Sequence, residues 1–302
     1  MTFVGITPSG GNISLPQPVQ VQLNRKEDAP ADGFTGIFPL SRSFGNLTGI
    51  RIYDRNGELC FDGIVDEQRE SCTGKLLLTL ISRSRAALLL DNEAIPQTYC
   101  MPSLATIFAR HVQPYGFNGF YGSTKMFSGA LTVTKGMSEW QAAAAFCTRF
   151  LNVQPCIRDG VFDASGEMPQ GGLQFDNSAG TRHSVLTVEN KYCSLLSELL
   201  MQSGTGGTYA PARRDDRAVS LGIRRRRCIT AGQNAENLIR AARRKAYSVQ
   251  LDCPGEIPAQ LFMNACVRDK VMGTIDGLYV SEIDYTMDSG GEMTRFVLRG
   301  LE

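Results

Sequence analysis

The residues that most often carry catalysis are sparse in this 302-residue chain. It holds two histidines, His111 and His183, and no partner for a catalytic dyad is identifiable for either of them in the sequence. His111 lies beside Arg110 near the end of a predicted helix, where we expect a half-exposed side chain that interacts favourably with the helix C-terminus. His183 lies beside Arg182 in a polar segment, and we interpret it in the same way. Acid–base catalysis by either histidine is therefore not indicated.

Other chemical motifs are also weak. The carboxylates Asp62, Asp66 and Glu67 could in principle form an acid–base pair, but on a strand they are more simply solvent-facing side chains. The sequence lacks the G-x-S-x-G, H-E-x-x-H and P-loop motifs. The Gly-rich run at 204–207 has no following Lys-Ser/Thr, so it is typical of a mobile loop rather than a phosphate site. The sequence does not support an enzyme.

Nine cysteines are spread along the chain, and no two form a C-x-x-C pair. Because zinc needs clustered cysteine and histidine ligands, we expect no metal site, and no motif indicates a cofactor. An odd cysteine count without a signal peptide predicts free thiols and synthesis in a reducing cytoplasm. No segment approaches the ~20 apolar residues of a membrane helix. The formal net charge of +1 gives no overall attraction to nucleic acid or anionic membranes.

The most basic run is 224–227, and the alternation of Val219, Leu221 and Ile223 before it predicts a strand. Successive strand residues point to opposite faces, so the run does not form one patch. Three interpretations stay open: a solvated strand end paired with carboxylates, a contact with a subunit or partner, and nucleic-acid binding. Arginine is enriched at protein interfaces, whereas the interleaved aromatics of a nucleic-acid site are absent. Our candidate interface residues are Arg213, Arg214, Arg224, Arg225, Arg226 and Arg227.

Strand signals dominate residues 1–95. Val21 and Leu23 alternate with polar residues, which is the period of a half-buried strand. Asn56-Gly57 between two apolar runs predicts a hairpin, because both central positions of such a turn need positive φ. The run 76–81 is apolar on both faces, which predicts a strand inside a barrel or sandwich.

Helix signals enter after residue 95. Ser103 and Ser138 are good N-caps for two helices, and Asn234 caps a third. Trp140, the only tryptophan, lies on the second helix, where we expect core packing rather than an interface.

Two segments, 165–180 and 203–217, are rich in Gly, Ser, Asp and Pro and predict exposed loops. Together with 25–36, they are candidates for contacts with partners. The region between them is ambiguous, since 192–201 suits either a helix or a strand.

The order of these elements resembles a known family. Its motifs, as they stand in this chain, are Phe61-x-Gly63 with Val65-Asp66, an Arg-rich corner at Ser82–Arg85 that leads to Leu88–Asp91, Ser103-Leu104-x-x-Ile107 ending in Pro114-Tyr115-Gly116, a helix with Glu139, Phe146 and Arg149, and an Asp159-Gly160 hairpin. They resemble the baseplate hub proteins of Mu-like contractile phages and, more distantly, those of the T-even phages (the late control protein D-like superfamily).

This resemblance implies a β-rich α+β fold with two tube-protein-like β-barrel domains and a small α/β domain between them. The expected domains are an N-terminal barrel at 1–95, a middle α/β domain at 96–170, and a second barrel at 171–302 with an inserted helix at 234–246. The implied function is structural, with no cofactor. A homotrimeric ring would join the tail tube protein to the central spike protein and line the channel.

The same resemblance implies contacts with other baseplate proteins and a place in the virion of a phage or prophage-derived contractile tail, after synthesis in the bacterial host cytoplasm. It implies no membrane and no specific nucleic acid as a partner. Two alternatives remain: a cell-wall hydrolase carried at the tail tip, and a nucleic-acid-binding protein built around the arginine run.

Overall fold

The structure is a computed structural model that describes residues 1–43, 45–158, 160–204, 207–230 and 232–301. The chain folds into two compact units, the first formed by 1–167 and 284–292 and the second by 168–283 and 293–302. Asp159 of the predicted 159–160 turn, and Thr205 and Gly206 of the Gly-rich run, lie outside the described residues. The division into 1–95, 96–170 and 171–302 stays a prediction.

The first unit is mostly β-structure. Its strands are β1 (Thr2–Ile6), β2 (Asn12–Ser14), β3 (Gln20–Lys26), β4 (Gly33–Leu40), β5 (Gly49–Tyr53), β6 (Leu59–Cys72), β7 (Leu76–Ser84), β8 (Gln97–Cys100), β9 (Phe120–Tyr121), β10 (Ala130–Val133), β11 (Cys156–Arg158) and β12 (Val161–Asp163). Its helices are α1 (Ala87–Asp91), α2 (Leu104–His111) and α3 (Glu139–Phe146), with a 3-10 turn at Gln113–Tyr115 and a π-helical turn at Cys147–Leu151.

The main sheet of the first unit is antiparallel, in the order β3-β4-β7-β6-β5-β1-β2. The predicted hairpin joins β5 to β6. Gly57 in its turn has φ of 83°, but Asn56 does not have a positive φ, so only one of the two positions takes the left-handed conformation that was expected of both. This sheet buries a cluster of aromatic side chains that includes Phe3, Phe34 and Phe38, with the rings of Phe3 and Phe38 5.4 Å apart. Such edge-to-face aromatic packing stabilises a core beyond the area that it buries.

Strand β7 is buried on one face. Leu78 and Leu80 are fully buried, whereas Ile81 on the opposite face is 38% exposed. The sequence predicted a strand covered on both faces, and the second face is not fully covered within this chain. Apolar residues at positions 77 and 81 are therefore not enough to show that the second face of β7 is buried.

The helices of the first unit begin where their caps predict. The Ser103 hydroxyl accepts the Thr106 N–H, and Ser138 forms a reciprocal capping box with Gln141. A second core gathers apolar residues of α2, α3 and β12. Trp140 lies in this core, 8% exposed, with its ring 5.9 Å from that of Phe162. Core packing of the single tryptophan is confirmed.

The second unit holds the remaining elements. Its strands are β13 (Gly172–Asp176), β14 (Val185–Asn190), β15 (Glu198–Ser203), β16 (Thr208–Arg214), β17 (Arg226–Ile229), β18 (Tyr247–Pro254), β19 (Asn264–Asp269), β20 (Gly273–Asp288) and β21 (Gly291–Gly300). Its helices are α4 (Asp216–Ser220) and α5 (Ala235–Ala246), with a 3-10 turn at Tyr192–Ser194. The tip of the β20–β21 hairpin, 284–292, belongs to the first unit.

The second unit contains two sheets. One has the order β14-β18-β21-β20, with β19 paired to β20 and β13 paired in parallel to β19. The other has the order β16-β15-β17. The β-rich α+β class predicted from the sequence is confirmed. Within the described ranges, no helix is long and apolar enough to cross a membrane.

Three local predictions for the second unit are wrong. The segment 165–180 contains β13, and 203–217 contains β16, although both were expected to be loops. All seven residues of β16 are exposed, so it shows no apolar alternation and is held by main-chain pairing to β15. The alternation at 219–223 predicted a strand, but Val219 lies in α4 and the strand β17 begins only at Arg226. Helix α4 begins at Asp216 because the Asp215 carboxylate caps it by accepting the N–H groups of Arg217 and Ala218.

Candidate functional site

The two histidines are not where the sequence placed them. His111 is 2% exposed rather than half-exposed, because α2 turns it toward the core beneath α3. Its Nδ1 lies 2.5 Å from Oε2 of Glu139, and its Nε2 lies 2.8 Å from the hydroxyl of Tyr99. The Tyr115 hydroxyl donates to the other carboxylate oxygen of Glu139 at 3.0 Å. Glu139 is the partner that sequence inspection missed.

This buried network is fully satisfied when His111 is neutral. Nδ1–H then donates to Glu139, and Nε2 accepts the Tyr99 O–H, while the Gln97 amide donates to the Tyr99 oxygen at 2.6 Å. Glu139 is the first residue of α3, where the helix dipole favours a carboxylate. Burial raises the pKa of Tyr99 and Tyr115, which keeps both hydroxyls protonated as donors. Every group therefore has a structural partner, and the network ties α2, α3 and β8 together.

His183 is also buried, at 7% exposure, rather than at the surface. Its Nε2 lies 3.8 Å from Oδ2 of Asp269, which is too long for a hydrogen bond. The Asp269 carboxylate instead accepts the N–H groups of Val271 and Met272 in the β19–β20 turn. Among the described residues, no group of three or more His, Cys, Asp or Glu side chains could hold a metal ion.

All nine thiols are free. Burial raises the pKa of Cys147 and of Cys253 to about 12, so these two stay protonated at neutral pH. Cys72, Cys100, Cys193 and Cys228 are exposed.

Three of the motifs that carry the resemblance meet at one guanidinium. Arg83, from the Arg-rich corner, donates two hydrogen bonds to Asp66 at 2.7 and 3.0 Å and two to Asp91 at 3.1 and 2.7 Å. Asp66 belongs to the Val-Asp motif on β6, and Asp91 ends the Leu-rich motif on α1. Arg85 similarly donates to Asp62 at 3.0 Å. Asp66, one of the carboxylates considered for acid–base chemistry, is therefore held in a bidentate ion pair. By contrast, Asp62 accepts one hydrogen bond from Arg85, and Glu67 accepts one from Arg69.

Four of the six candidate interface arginines lie on the small β16-β15-β17 sheet, and Arg224 and Arg225 directly precede β17. Glu198 of β15 is flanked in register by Arg214 and Arg226, and the neighbouring Leu199 is flanked by Arg213 and Arg227. Directly opposed residues share a face, so the two rows point to opposite sides of the sheet. The second row faces α5, since Leu199 packs against Ile239 of that helix. The structure thus brings the two arginine segments together.

Most of these arginines are exposed and partly paired. The ion pairs are Arg213–Glu236 at 2.8 Å, Arg214–Asp216 at 3.2 Å and Arg226–Glu198 at 3.3 Å. Arg225 donates to the Tyr192 carbonyl at 2.7 Å. For Arg224 and Arg227 the described part of the chain offers no carboxylate within ion-pair distance. A solvated, paired surface and a partner contact are both compatible with this geometry.

The ion pair that organises this region was missed from the sequence. Asp215 is 1% exposed at its side chain and receives two hydrogen bonds from Arg243 of α5, at 2.9 and 2.8 Å. These bonds hold the pKa of Asp215 below its ordinary value, helped by the backbone N–H groups that it caps. An acidic pair before a short helix was the available signal, since Asp is a strong N-cap.

Asparagine at position 215 is expected to lower the free energy of unfolding by about 2 kcal/mol at neutral pH, because it keeps the cap but loses the charged hydrogen bonds. The folded-state pKa of Asp215 is depressed, so its contribution is present above the unfolded value of about 3.9 and is lost as pH falls through the folded value. Urea unfolding of wild type and Asp215→Asn should therefore differ at pH 7 and converge in acid.

The matched control is Asp216→Asn. Asp216 is 90% exposed in its pair with Arg214, and its loss should change stability by less than about 0.5 kcal/mol. Equal effects of the two substitutions would contradict the assigned role of Asp215.

Comparisons with known proteins rest on structure. No family model matches the sequence, and no curated protein matches it. The tail protein from Neisseria meningitidis MC58 superposes with a TM-score of 0.78 at 15% identity, over 99% of this chain and 97% of that protein. The 43 kDa tail protein of prophage MuSo2 from Shewanella oneidensis gives the same TM-score and identity, over 99% and 98%. The chain has a tail-protein fold.

A third similar structure comes from a secretion system rather than from a phage or prophage. The E. coli c3393 protein, described as a type VI secretion system component with structural similarity to the T4 tail proteins gp27 and gp5, superposes with a TM-score of 0.60 at 7% identity. The alignment covers 95% of this chain and 74% of that protein. The resemblance to phage tail proteins that the motifs indicated is confirmed at the level of the fold.

Proposed function

We propose that this chain is a structural baseplate hub subunit of a phage or phage-derived contractile tail. The observation that carries the proposal is the superposition of nearly the whole chain on nearly the whole of two tail proteins. Because each match extends over nearly the full length of both proteins, it includes both compact units of this chain. The similarity is therefore not limited to one widespread domain. At 15% identity it is the fold that is shared, and the function is inferred from that fold.

In this function the subunit forms a homotrimeric ring that joins the tail tube to the central spike, contacts other baseplate proteins and lines the channel. A ring of this kind uses heterologous contacts that close on themselves, so each subunit presents two different surfaces to its neighbours. The exposed strand β16 supports this role, because its outer main-chain groups have no partner strand in the described chain. The arginines on β17 and just before it, at the other edge of this three-stranded sheet, are the proposed interface. The work of the subunit is then assembly in the virion, without catalysis.

The solution mass tests this function. We expect light scattering over a concentration series to give three times the subunit mass of 33.0 kDa, either for the chain alone or after addition of a candidate spike protein. Replacing both Arg224 and Arg227 with glutamate should weaken this assembly at least tenfold, because the arginines that lack an ion pair are the ones available to a partner.

Arg182→Glu and Lys191→Glu together are the matched control, since they make the same charge change elsewhere in the second unit and should leave assembly intact. A chain that stays monomeric with spike and tube proteins at every concentration would contradict the hub function.

A further inference from the structure

A groove of about 410 Å³ lies in the second unit beside the C-terminal end of α5. Its floor is apolar and buried, and includes Leu195, Ala246 and Leu278. Two large apolar side chains line it while remaining open to solvent: Tyr192 is 52% exposed and Leu221 is 50% exposed. Exposed apolar side chains gathered over an apolar floor are typical of a surface that another molecule covers.

The groove lies within the most basic part of the chain. Residues 208–246 carry eleven Lys and Arg against three Asp and Glu, a net charge of +8, although the whole chain carries +1. All but one of the eleven are arginines. The planar guanidinium group of arginine can donate two parallel hydrogen bonds to one carboxylate. The rest of the chain therefore carries a net charge of −7, and the positive charge is concentrated in the segment 208–246, which contributes part of the groove lining.

Three arginines define the charge of the groove itself. Arg217 and Arg243 line it, and Arg225 donates to the carbonyl of Tyr192 at its edge. Arg243 is already held by Asp215, whereas Arg217 is exposed and has no ion pair with a carboxylate among the described residues. The one acidic side chain that lines the groove is Asp276. A ligand would thus meet apolar contacts on the floor and an available guanidinium at the side.

We propose that this groove binds an acidic segment of a partner protein, one that places leucine-like side chains on the apolar floor and carboxylates beside Arg217 and Arg225. The inference rests on the proposed function in that the partner is another component of the tail. A protein segment is favoured over nucleic acid because the apolar floor and the exposed Leu221 offer contacts to aliphatic side chains, which a sugar–phosphate backbone does not supply.

A labelled peptide tests this directly on the full chain. The probe is a short fluorescein-labelled peptide with two adjacent leucines flanked by glutamates, titrated by fluorescence anisotropy at low and at moderate salt. We expect saturable binding that weakens with salt, and about tenfold weaker binding for Leu221→Ser and for Arg217→Glu. Both side chains are exposed, so these variants should keep the wild-type melting temperature.

Matched variants separate the groove from general effects. Val271→Ser removes an apolar side chain that is 91% exposed elsewhere in the second unit, and Arg182→Glu reverses an exposed charge outside the groove. Both should bind the peptide like wild type, and a peptide with serines in place of the leucines should bind at least tenfold more weakly. No binding, or equal losses in the control variants, overturns the inference.

Two further outcomes would assign the groove to another occupant and also overturn it. One is displacement of the peptide by a DNA duplex whose own binding falls in Leu221→Ser. The other is self-association of the chain that Leu221→Ser abolishes. Failure here is distinct from failure of the hub function: a chain that assembles with the spike but ignores the peptide contradicts the groove alone, and a chain that binds the peptide but never assembles contradicts the hub alone.

Discussion

Replacing His111 with alanine is expected to lower the free energy of unfolding of the first unit by about 4 kcal/mol. The substitution leaves the Glu139 carboxylate, 10% exposed at its side chain, with the Tyr115 hydroxyl as its remaining side-chain partner in the network. A buried carboxylate that loses a hydrogen-bond donor costs far more than the net worth of that bond, and the missing imidazole ring also leaves a cavity beside it. Chemical denaturation followed by circular dichroism and by the fluorescence of Trp140 measures the loss.

A double variant identifies the cause. The variant that carries both His111→Leu and Glu139→Met should be more stable than His111→Ala, because it removes the buried carboxylate together with its donor and keeps the site filled. Arg69→Ala, which breaks the exposed pair with Glu67, should cost less than about 1 kcal/mol. A His111→Ala variant no less stable than Arg69→Ala would show that the network does not stabilise the fold.

Replacing Phe38 with alanine is expected to cost a similar amount, about 4 kcal/mol. Phe38 is fully buried, its ring packs against those of Phe3 and Phe34, and it belongs to the core of the main sheet of the first unit. Trp140 lies in the other core of the same compact unit. If the first unit unfolds cooperatively, Phe38→Ala should shift the tryptophan transition although the two side chains belong to different clusters.

This experiment also tests the predicted boundary at residue 95. Separate domains at 1–95 and 96–170 would give a Phe38→Ala variant with two transitions, in which Trp140 fluorescence keeps its wild-type midpoint. One cooperative unit would give a single shifted midpoint by both probes. Phe38→Leu is the control, since it keeps the site apolar, leaves a smaller cavity and should cost clearly less than the alanine variant.

Local signals predicted much of the fold because their physics is local. The caps Ser103, Ser138 and Asn234 each bond a backbone N–H three residues on, so their effect needs no distant partner. The Asn56-Gly57 turn works in the same way, since the chain reverses within the residues that carry the signal. These elements, and the β-rich class that they imply, could therefore be predicted from the sequence.

The errors arose where distant residues or competing local signals decide the outcome. His111 and Glu139 are 28 positions apart, and neither residue alone indicates that the fold will bury them together. Strand β16 has no apolar pattern because it buries no side chain, so period-based prediction does not detect it. At α4, the cap formed by Asp215 outweighed a weak alternation. The groove beside α5 was missed because its residues come from separated segments.

The convergence on Arg83 bears on how such a chain can change over evolutionary time. One guanidinium neutralises both Asp66 and Asp91, so its loss would leave two carboxylates facing each other without a cation. A change at one of the three positions is therefore felt at the other two, so substitutions there are expected to be coupled rather than independent.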